Sequence, residues 1–364
     1  MLTIDERIRE TEEEIRKTPY HKGTEHYLGK LKARIARLKE EKIEKIFKSK
    51  GGGGGGGYAV KKTGDATVVL VGPPSVGKSS LLNMITKADS KVAAYDFTTV
   101  NVIPGMLDYK GAKIQILDVP GIVAGAASGK GRGKEILSVV RGADLIMVMV
   151  DVKTINLISS IFRELQEAGV RLNEEKPKVT IIKQTSGGIK VNSTTNLRLS
   201  DEAIKSLATE FRLSNAEIII KEDITLDRLI DAFMGNRIYL PYLVVINKSD
   251  LGIPKGWKKF PPSREESVLI SAETGENLDV LKEKIWERLL FIRVYLKKGD
   301  TVDNDEPLIL KEGRNLRWIL ENIAMSGKES FKSVRVFGPG AKYPGQEVSL
   351  NFIPQDESIV QFLA

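Results

Sequence analysis

Thr67-Val68-Val69-Leu70-Val71-Gly72-Pro73-Pro74-Ser75-Val76-Gly77-Lys78-Ser79-Ser80-Leu81-Leu82-Asn83-Met84-Ile85 decides the fold. It reads as strand, loop and helix: a β-branched run, a turn ending in Gly-Lys-Ser, then Leu81, Leu82, Met84 and Ile85 as the apolar positions of a helix. A glycine-rich turn in that setting is a phosphate-binding loop. Glycines let backbone N–H groups close on phosphate oxygens, the helix start presents unpaired donors, and Lys78 supplies a point charge to the β and γ oxygens. The Ser79 hydroxyl is then a ligand for Mg²⁺. The candidate nucleotide contacts here are Gly72, Pro73, Pro74, Ser75, Val76, Gly77, Lys78, Ser79 and Ser80.

A phosphate loop does not distinguish ATP from GTP. The discriminating stretch is Asn247-Lys248-Ser249-Asp250, which follows the buried-strand pattern Leu243-Val244-Val245-Ile246 and so falls where α/β sheets bind ligands. The Asp250 carboxylate can accept from N1–H and the 2-amino group of guanine, and adenine offers neither donor. A site built around such a group rejects the analogue lacking it by roughly 10⁴ to 10⁵. Asn247 would tie this segment to the phosphate loop, and the Lys248 stem would lie along the base plane.

The remaining parts come in a consistent order. Asp118-Val119-Pro120-Gly121 ends the apolar-alternating Lys113-Ile114-Gln115-Ile116-Leu117, which places Asp118 on Mg²⁺ through water and the Gly121 N–H at the γ-phosphate. Phe97-Thr98-Thr99 offers a threonine to close over Mg²⁺; either fits, and Thr99 is preferred. Ser271, Ala272 and Glu273, following Val268-Leu269-Ile270, complete the base pocket through backbone contacts. Lys78, Thr99 and Gly121 are thus the candidate catalytic residues. Ser79, Thr99 and Asp118 are the candidate metal ligands.

With these motifs in order, the chain resembles the translation-factor class of small GTPases, and within it the Obg superfamily. Tyr95-Asp96-Phe97-Thr98-Thr99 with Pro104-Gly105 is similar to that group's first switch, and Asp118 to Ile122 with the glycine-rich Gly125 to Gly133 to its second. The phosphate loop, Lys110 to Gln115 and Gly129-Lys130-Gly131-Arg132-Gly133 look most like the developmentally regulated GTP-binding proteins of archaea and eukaryotes. The resemblance covers nearly the whole chain. It implies GTP and GDP as ligands, Mg²⁺ as cofactor, a small α+β insertion resembling a domain of a ribosomal protein, and a C-terminal TGS domain associated with RNA or protein contacts.

Hydrolysis should be slow. Many regulatory GTPases carry a water-orienting glutamine just after the Asp-x-x-Gly segment; here that position is Ile122, which cannot hydrogen-bond water. Turnover near or below the ~10⁻⁴ s⁻¹ scale of unassisted switch GTPases is expected. Potassium could replace an arginine finger, as in related GTPases, but those often have Asn where this chain has Ser75, and that departure puts potassium dependence in doubt. Arg132 and Lys134 are read as solvated charge, with a reach toward the site as the alternative.

Composition sets the setting. The 364 residues suffice for two or three domains, each with its own core. There is no cysteine, which excludes a disulfide framework and thiol catalysis. The charged start from Asp5 and the lack of an apolar run near ~20 residues argue against a signal peptide or spanning helix, and a reducing cytoplasm fits best. His21 and His26 have no metal-ligand company, so no metal beyond Mg²⁺ is expected. Net charge is +8 and the isoelectric point about 9.3, which points to an anionic partner.

That charge is uneven. Lys30 to Lys50 holds nine basic residues against three glutamates, while Leu28, Leu31, Ile35, Leu38 and Ile46 recur near helical spacing. Ile4, Ile8 and Ile15 mark an acidic helix before it, with Thr18-Pro19 and Lys22-Gly23-Thr24 as breaker and turn. An N-terminal helical hairpin is expected over residues 1–50, either a solvated pair or a ribosomal RNA contact. Gly51 to Gly57 reads as a flexible linker, giving 51–62 as the linker segment.

The GTPase domain is expected over 63–290. The strand Leu145 to Val150 ends at Asp151 and the next core strand starts at Leu243, about three times the ~30 residues a βαβ crossover needs. Helix Ile155 to Ala168 serves the crossover, and 172–240 is an α+β insertion. Within it, Val179 to Ile182 and Ile189 to Val191 flank Ser186-Gly187-Gly188 as a hairpin, followed by helices from Asp201 and from the cap Thr225 to Gly235. Residues 291–364 read as a β-grasp: strands at Phe291 to Leu296, Val334 to Phe337 and Ile359 to Phe362, and a helix at Leu316 to Ile323, with Trp318, Phe331 and Phe337 as core or contact aromatics.

The fold class is therefore α/β, a P-loop GTPase domain with an inserted α+β domain, an N-terminal helical hairpin and a C-terminal TGS-like β-grasp. The expected function is a slow, partner-stimulated GTP-hydrolysing switch, monomeric and associated with ribosome or RNA, with a further regulatory protein on the TGS-like domain. The alternative is a nucleotide-stabilised RNA- or protein-binding scaffold with incidental turnover, a reading that Ile122 keeps open.

Overall fold

The computed structural model describes residues 2–49, 63–86, 102–119, 139–253, 266–299, 301–303, 306–322 and 333–363. One compact unit, drawn from Tyr58–Leu165 and Leu240–Ala364, is built on a six-stranded sheet in the order Ser267–Leu269, Tyr242–Asn247, Leu145–Asp151, Ala66–Val71, Ala112–Asp118, Ile103–Tyr109. All neighbours are parallel except the last pair. Strands covered on both faces carry no polar alternation, which is why Ala66–Val71 and Leu145–Asp151 are buried at every position. Leu70, Leu81, Ile116 and Met147 are fully enclosed in one core, each contributing ~1.5–3 kcal/mol through burial. The crossover after Asp151 begins with a 3₁₀ turn, Ile155–Leu157, before helix Ile158–Glu167.

Register aims the functional loops. Leu70 pairs with Asp118, Asn247 with Asp151, and Ile246 with Leu269, so the carboxyl ends of the parallel strands lie along one edge.

The core extends into the C-terminal segment. Helix Leu278–Leu289 runs into strand Phe291–Lys298, and Trp286 meets Phe291 edge-to-face at 5.5 Å, placing Phe291 in the core of the central sheet. The turn after Ile103–Tyr109 is held to the same helix: Tyr109 Oη and Lys110 Nζ each donate to Glu283 at 2.7 Å. Lys311 Nζ donates to Asp144 Oδ1 at 2.8 Å, while Asp144 Oδ2 accepts the Thr67 N–H at 3.1 Å. The C-terminal strands order as Thr301–Val302, Phe291–Lys298, Ser358–Leu363, Ser333–Phe337, Gln346–Val348, and Leu308–Lys311 also pairs with Phe291–Lys298, opposite Ser358–Leu363. Helix Leu316–Asn322 covers one face through Leu316 and Ile319, and Trp318 packs partly buried against that core. Phe337 carries Lys297 Nζ 4.6 Å from its ring centroid; Phe331 lies outside the described residues.

The described residues within Met1–Gly57 and Gln166–Tyr239 form a second compact unit. Helix Ile4–Lys17 starts with a capping box between Thr3 and Glu6, and helix Glu25–Ser49 follows. The long helix buries Ala33 in a core with Ile204, Leu207, Ile218, Leu229 and Ile230. Four of its basic residues are engaged in ion pairs: Lys32 with Asp227, Arg37 with Glu210, Lys39 with Glu12 and Lys42 with Asp5. The glycine run Gly51 to Gly57 and the side chain of Ile46 lie outside the described residues.

The hairpin expected around Ser186-Gly187-Gly188 does not form. Val179–Lys183 and Ile189–Ser193 sit on opposite sides of Ala216–Ile220, antiparallel and parallel to it respectively. Burial decides the pairing: Ala216, Ile218 and Ile220 are fully enclosed, so this strand takes the centre, while the two flanking strands carry exposed polar positions suited to edges. The glycine loop bridges the end of the central strand, where Asn215 Oδ1 accepts the Gly188 N–H at 2.8 Å. Helices Asp201–Glu210 and Leu226–Met234 complete the segment, capped by Ser200 and Thr225, and Gly235 ends the second in a left-handed conformation. Among the described residues, no helix is long and apolar enough to cross a membrane.

Candidate functional site

The loop after Ala66–Val71 is bent by two left-handed residues, Ser75 at φ 63° and Gly77 at φ 95°. A Cβ on Gly72 would run into the Met149 carbonyl oxygen, and one on Gly77 into Asn247 Nδ2, so both positions demand glycine. The first helical bond, from Leu81 N to the Gly77 carbonyl at 2.9 Å, leaves the preceding first-turn N–H groups without intrahelical partners. Gly72, Pro73 and Val76 are buried, whereas Pro74, Ser75, Ser79 and Ser80 are exposed. The arrangement is a cradle of donors at a helix start, suited to an anion.

Lys78 and Asp118 lie beside it. Lys78 Nζ donates to the Gly72 carbonyl at 3.1 Å and the Pro73 carbonyl at 2.9 Å. Burial pushes its ammonium below the usual lysine range, against the opposing pull of Asp118. Asp118 is 1% exposed; its Oδ2 accepts from Ser79 Oγ at 3.0 Å. Its Oδ1 is buried with no hydrogen-bond partner among the described residues. Burial raises this carboxyl above the ordinary range, opposed by the Ser79 hydrogen bond and the Lys78 charge.

The base-side loops are joined by Asn247, 3% exposed. Its Nδ2 donates to the Val76 carbonyl at 2.8 Å and its Oδ1 accepts the Ala272 N–H at 2.9 Å, so one amide links the phosphate loop to the loop at Ser271. Lys248, left-handed at φ 66°, donates from Nζ to the Ser75 carbonyl and to Asp151 Oδ2, both at 2.9 Å. Asp250 is exposed, and its Oδ1 accepts from Ser271 Oγ at 2.6 Å. Ser271 Oγ also accepts the Thr274 N–H at 3.2 Å, which fixes the hydroxyl that orients Asp250. Glu273 is exposed, with no side-chain role in this geometry.

The structure thus brings Gly72 to Ser80, Asp118, Asn247 to Asp250 and Ser271 to Ala272 to one edge of the sheet. Thr98, Thr99, Gly121, Ile122, Arg132 and Lys134 lie outside the described residues. Sequence reasoning missed Asp151, noted there only as a strand end. The signal was available: an Asp closing a fully apolar strand, three residues before Thr154, whose N–H and hydroxyl it accepts at 2.9 and 2.7 Å.

A family model described as 50S ribosome-binding GTPase matches residues 67–184, and one described as the C-terminal region of the MMR_HSR1 domain matches 186–291. A GTP-binding protein of Methanocaldococcus jannaschii is 47% identical over 367 residues, covering 99% of this chain and 93% of its own length. One from Halobacterium salinarum is 44% identical over 371 residues, and developmentally-regulated GTP-binding protein 2 of Homo sapiens 39% over 367, each covering 100% of both chains. The chain belongs to the developmentally-regulated GTP-binding protein family. It is a GTPase of the Obg type, with GTP and GDP as its ligands.

In this member of the developmentally-regulated GTP-binding proteins, the donor set fits a hydrated divalent cation. Asp118 Oδ1 is orphaned and buried beside the Ser79 hydroxyl, an arrangement that a cation between them would satisfy. Mg²⁺ would be held there by Ser79, and by Asp118 through water; when bound it neutralises phosphate charge. Among the described residues there is no cluster of three or more His, Cys, Asp or Glu side chains placed to hold another metal.

Proposed function

We propose that this chain is a slow molecular switch that hydrolyses GTP to GDP and phosphate and is stimulated by a ribosomal or RNA partner in the cytoplasm. The observation that carries the reading is Asn247, whose amide fixes the phosphate loop and base loop relative to one another and so supports recognition of a whole guanine nucleotide. Lys78 leaves the Gly72 and Pro73 carbonyls to meet phosphate oxygens, joined by loop N–H groups, and stabilises charge that builds on them. Asp250, oriented by Ser271, accepts from the guanine edge. Thr99 and Gly121 are assigned to the phosphate site on the sequence alone. Ile122 cannot orient water, so turnover waits on a partner.

The partner reading rests on the net charge of +8 and on the C-terminal sheet, whose helix falls between its strands in the chain as in a TGS-like β-grasp. The ion pairs of Lys32, Arg37, Lys39 and Lys42 weaken the first helical pair as the main RNA contact. We take the domain limits as 1–50, 51–62, 63–290 with 172–240 inserted, and 291–364, in a monomeric protein.

The test is single-turnover and steady-state GTP hydrolysis with and without ribosomes, in potassium and in sodium, with ATP as competitor. Ribosome-stimulated turnover and nucleotide-dependent ribosome binding are expected, with association that weakens as salt rises. If neither appears, the scaffold reading that Ile122 keeps open replaces the switch. Effective competition by ATP would overturn the base assignment.

A further inference from the structure

We propose that Asp151 is a positioning residue for nucleotide affinity, acting through Lys248. The proposal rests on the reading of Lys248 as the side chain beside the base. Asn247 and Asp151 are register partners on adjacent parallel strands, so the strand ends deliver Asp151 directly to the residue following Asn247. Its side chain is 9% exposed against 35% for Lys248, and the pair closes at 2.9 Å between Lys248 Nζ and Asp151 Oδ2.

The other oxygen, Oδ1, accepts from Lys153 N, Thr154 N and Thr154 Oγ1 at 3.0, 2.9 and 2.7 Å, which locks the carboxylate in place. Three donors on one oxygen leave the second to face Lys248. Burial alone would raise the Asp151 carboxyl; the hydrogen bonds from Lys248, Thr154 and Lys153 outweigh it and hold the group below its ordinary range. Lys248 Nζ is thereby fixed at two points, Asp151 and the Ser75 carbonyl, and its four-carbon stem cannot swing away from the space next to the phosphate loop. The lysine stem presents an apolar flank to a purine face, and that contact does not depend on which edge groups the base carries. Asp151 therefore sets how tightly the nucleoside is held, and Asp250 sets which base is chosen.

A simple turn-capping role would involve only Oδ1. The two are separated by Asp151→Asn, which keeps an oxygen for the Lys153 and Thr154 donors and removes the acceptor and charge that face Lys248. Dissociation constants of fluorescent GDP, and of GTP and inosine triphosphate by competition, are measured for the full-length protein and for Asp151→Asn, Lys248→Ala and the double variant.

Each single substitution is expected to weaken all three nucleotides by about tenfold, and the double to match the larger single effect within about twofold. The ratio of guanine to hypoxanthine nucleotide affinity should stay constant, because inosine lacks only the 2-amino group. Unchanged affinity in Asp151→Asn, or a double variant equal to the product of the singles, overturns the Asp151 link while leaving the base site standing. Unchanged affinity in Lys248→Ala overturns both. Circular dichroism and melting curves on each variant confirm that the fold is kept; should Asp151→Asn be unfolded, Asp151→Glu replaces it, with recovery of neither pairing nor affinity counting against the link.

Discussion

In the nucleotide loops, a single buried amide, Asn247, joins two segments far apart in sequence, whereas the inserted sheet is held by Ile218 and Ile220 pressed against Leu207 and Leu229. The first region is determined by individual hydrogen bonds that converge on buried polar groups such as Asn247 and Asp151. The second is determined by apolar area, with its charges arranged around the outside. One lost acceptor in the first should change ligand binding and spare the fold. One lost methyl group in the second should lower stability and leave the ligand alone.

The largest effect belongs to the polar side. Asp250→Asn removes an acceptor and adds a donor facing guanine; the preference for GTP over ATP is expected to collapse by about 10⁴-fold in competition binding, with the melting temperature unchanged. A second change tests whether the other unit has a polar dependence of its own. Asp231 holds Arg171 through two bonds at 2.6 and 2.7 Å and Arg237 at 2.9 Å, with its side chain only 7% exposed. Asp231→Ala leaves two enclosed guanidinium groups without their carboxylate, and should cost about 3–5 kcal/mol in denaturant unfolding. Nucleotide affinity equal to that of the unaltered protein would confirm that the cost stays local.

Ile218→Ala is the apolar counterpart. Its full burial predicts a loss of about 2–4 kcal/mol in the same unfolding measurement, without a change in GDP affinity. The smallest effect is expected for Lys32→Met, which removes a half-exposed ion pair with Asp227 at 2.9 Å; stability should move by less than about 1 kcal/mol. A larger value would mean that the long helix depends on its charges, contrary to the distinction drawn between the two regions.

The same distinction explains what could be read from the sequence. Ala66–Val71 and Tyr242–Asn247 were legible because strands buried on both faces become continuous apolar runs, and the loops that follow them inherit their place from the parallel sheet. The caps Thr225 and Gly235 were legible because capping is local chemistry. The pairing around Gly187 was not, since the turn residues were evident but the partner strand, Ala216–Ile220, is chosen by burial across a distance in sequence. Thr301–Val302, Leu308–Lys311 and Gln346–Val348 are too short to show a period. In the basic stretch from Lys30, the pairing of Lys32 with Asp227 could not be read from the sequence because the two lie 195 residues apart. In the candidate site, the glycines and Asp250 declared themselves by motif; Asp151 did not, because its significance depends on a neighbour that only strand register supplies.

Phe291 opens the C-terminal sheet in sequence but fills the core of the central sheet, next to Trp286, while Lys311 reaches Asp144, the residue before the strand Leu145–Asp151. For anyone dividing the gene, a stop codon after Leu290 would not trim an appendage. It would strip the wall from a hydrophobic chamber and leave the Asp144 carboxylate without its lysine, so the excised fragment should precipitate or bind nucleotide poorly for reasons unrelated to catalysis. Dissection of this protein is better done by point substitution than with scissors.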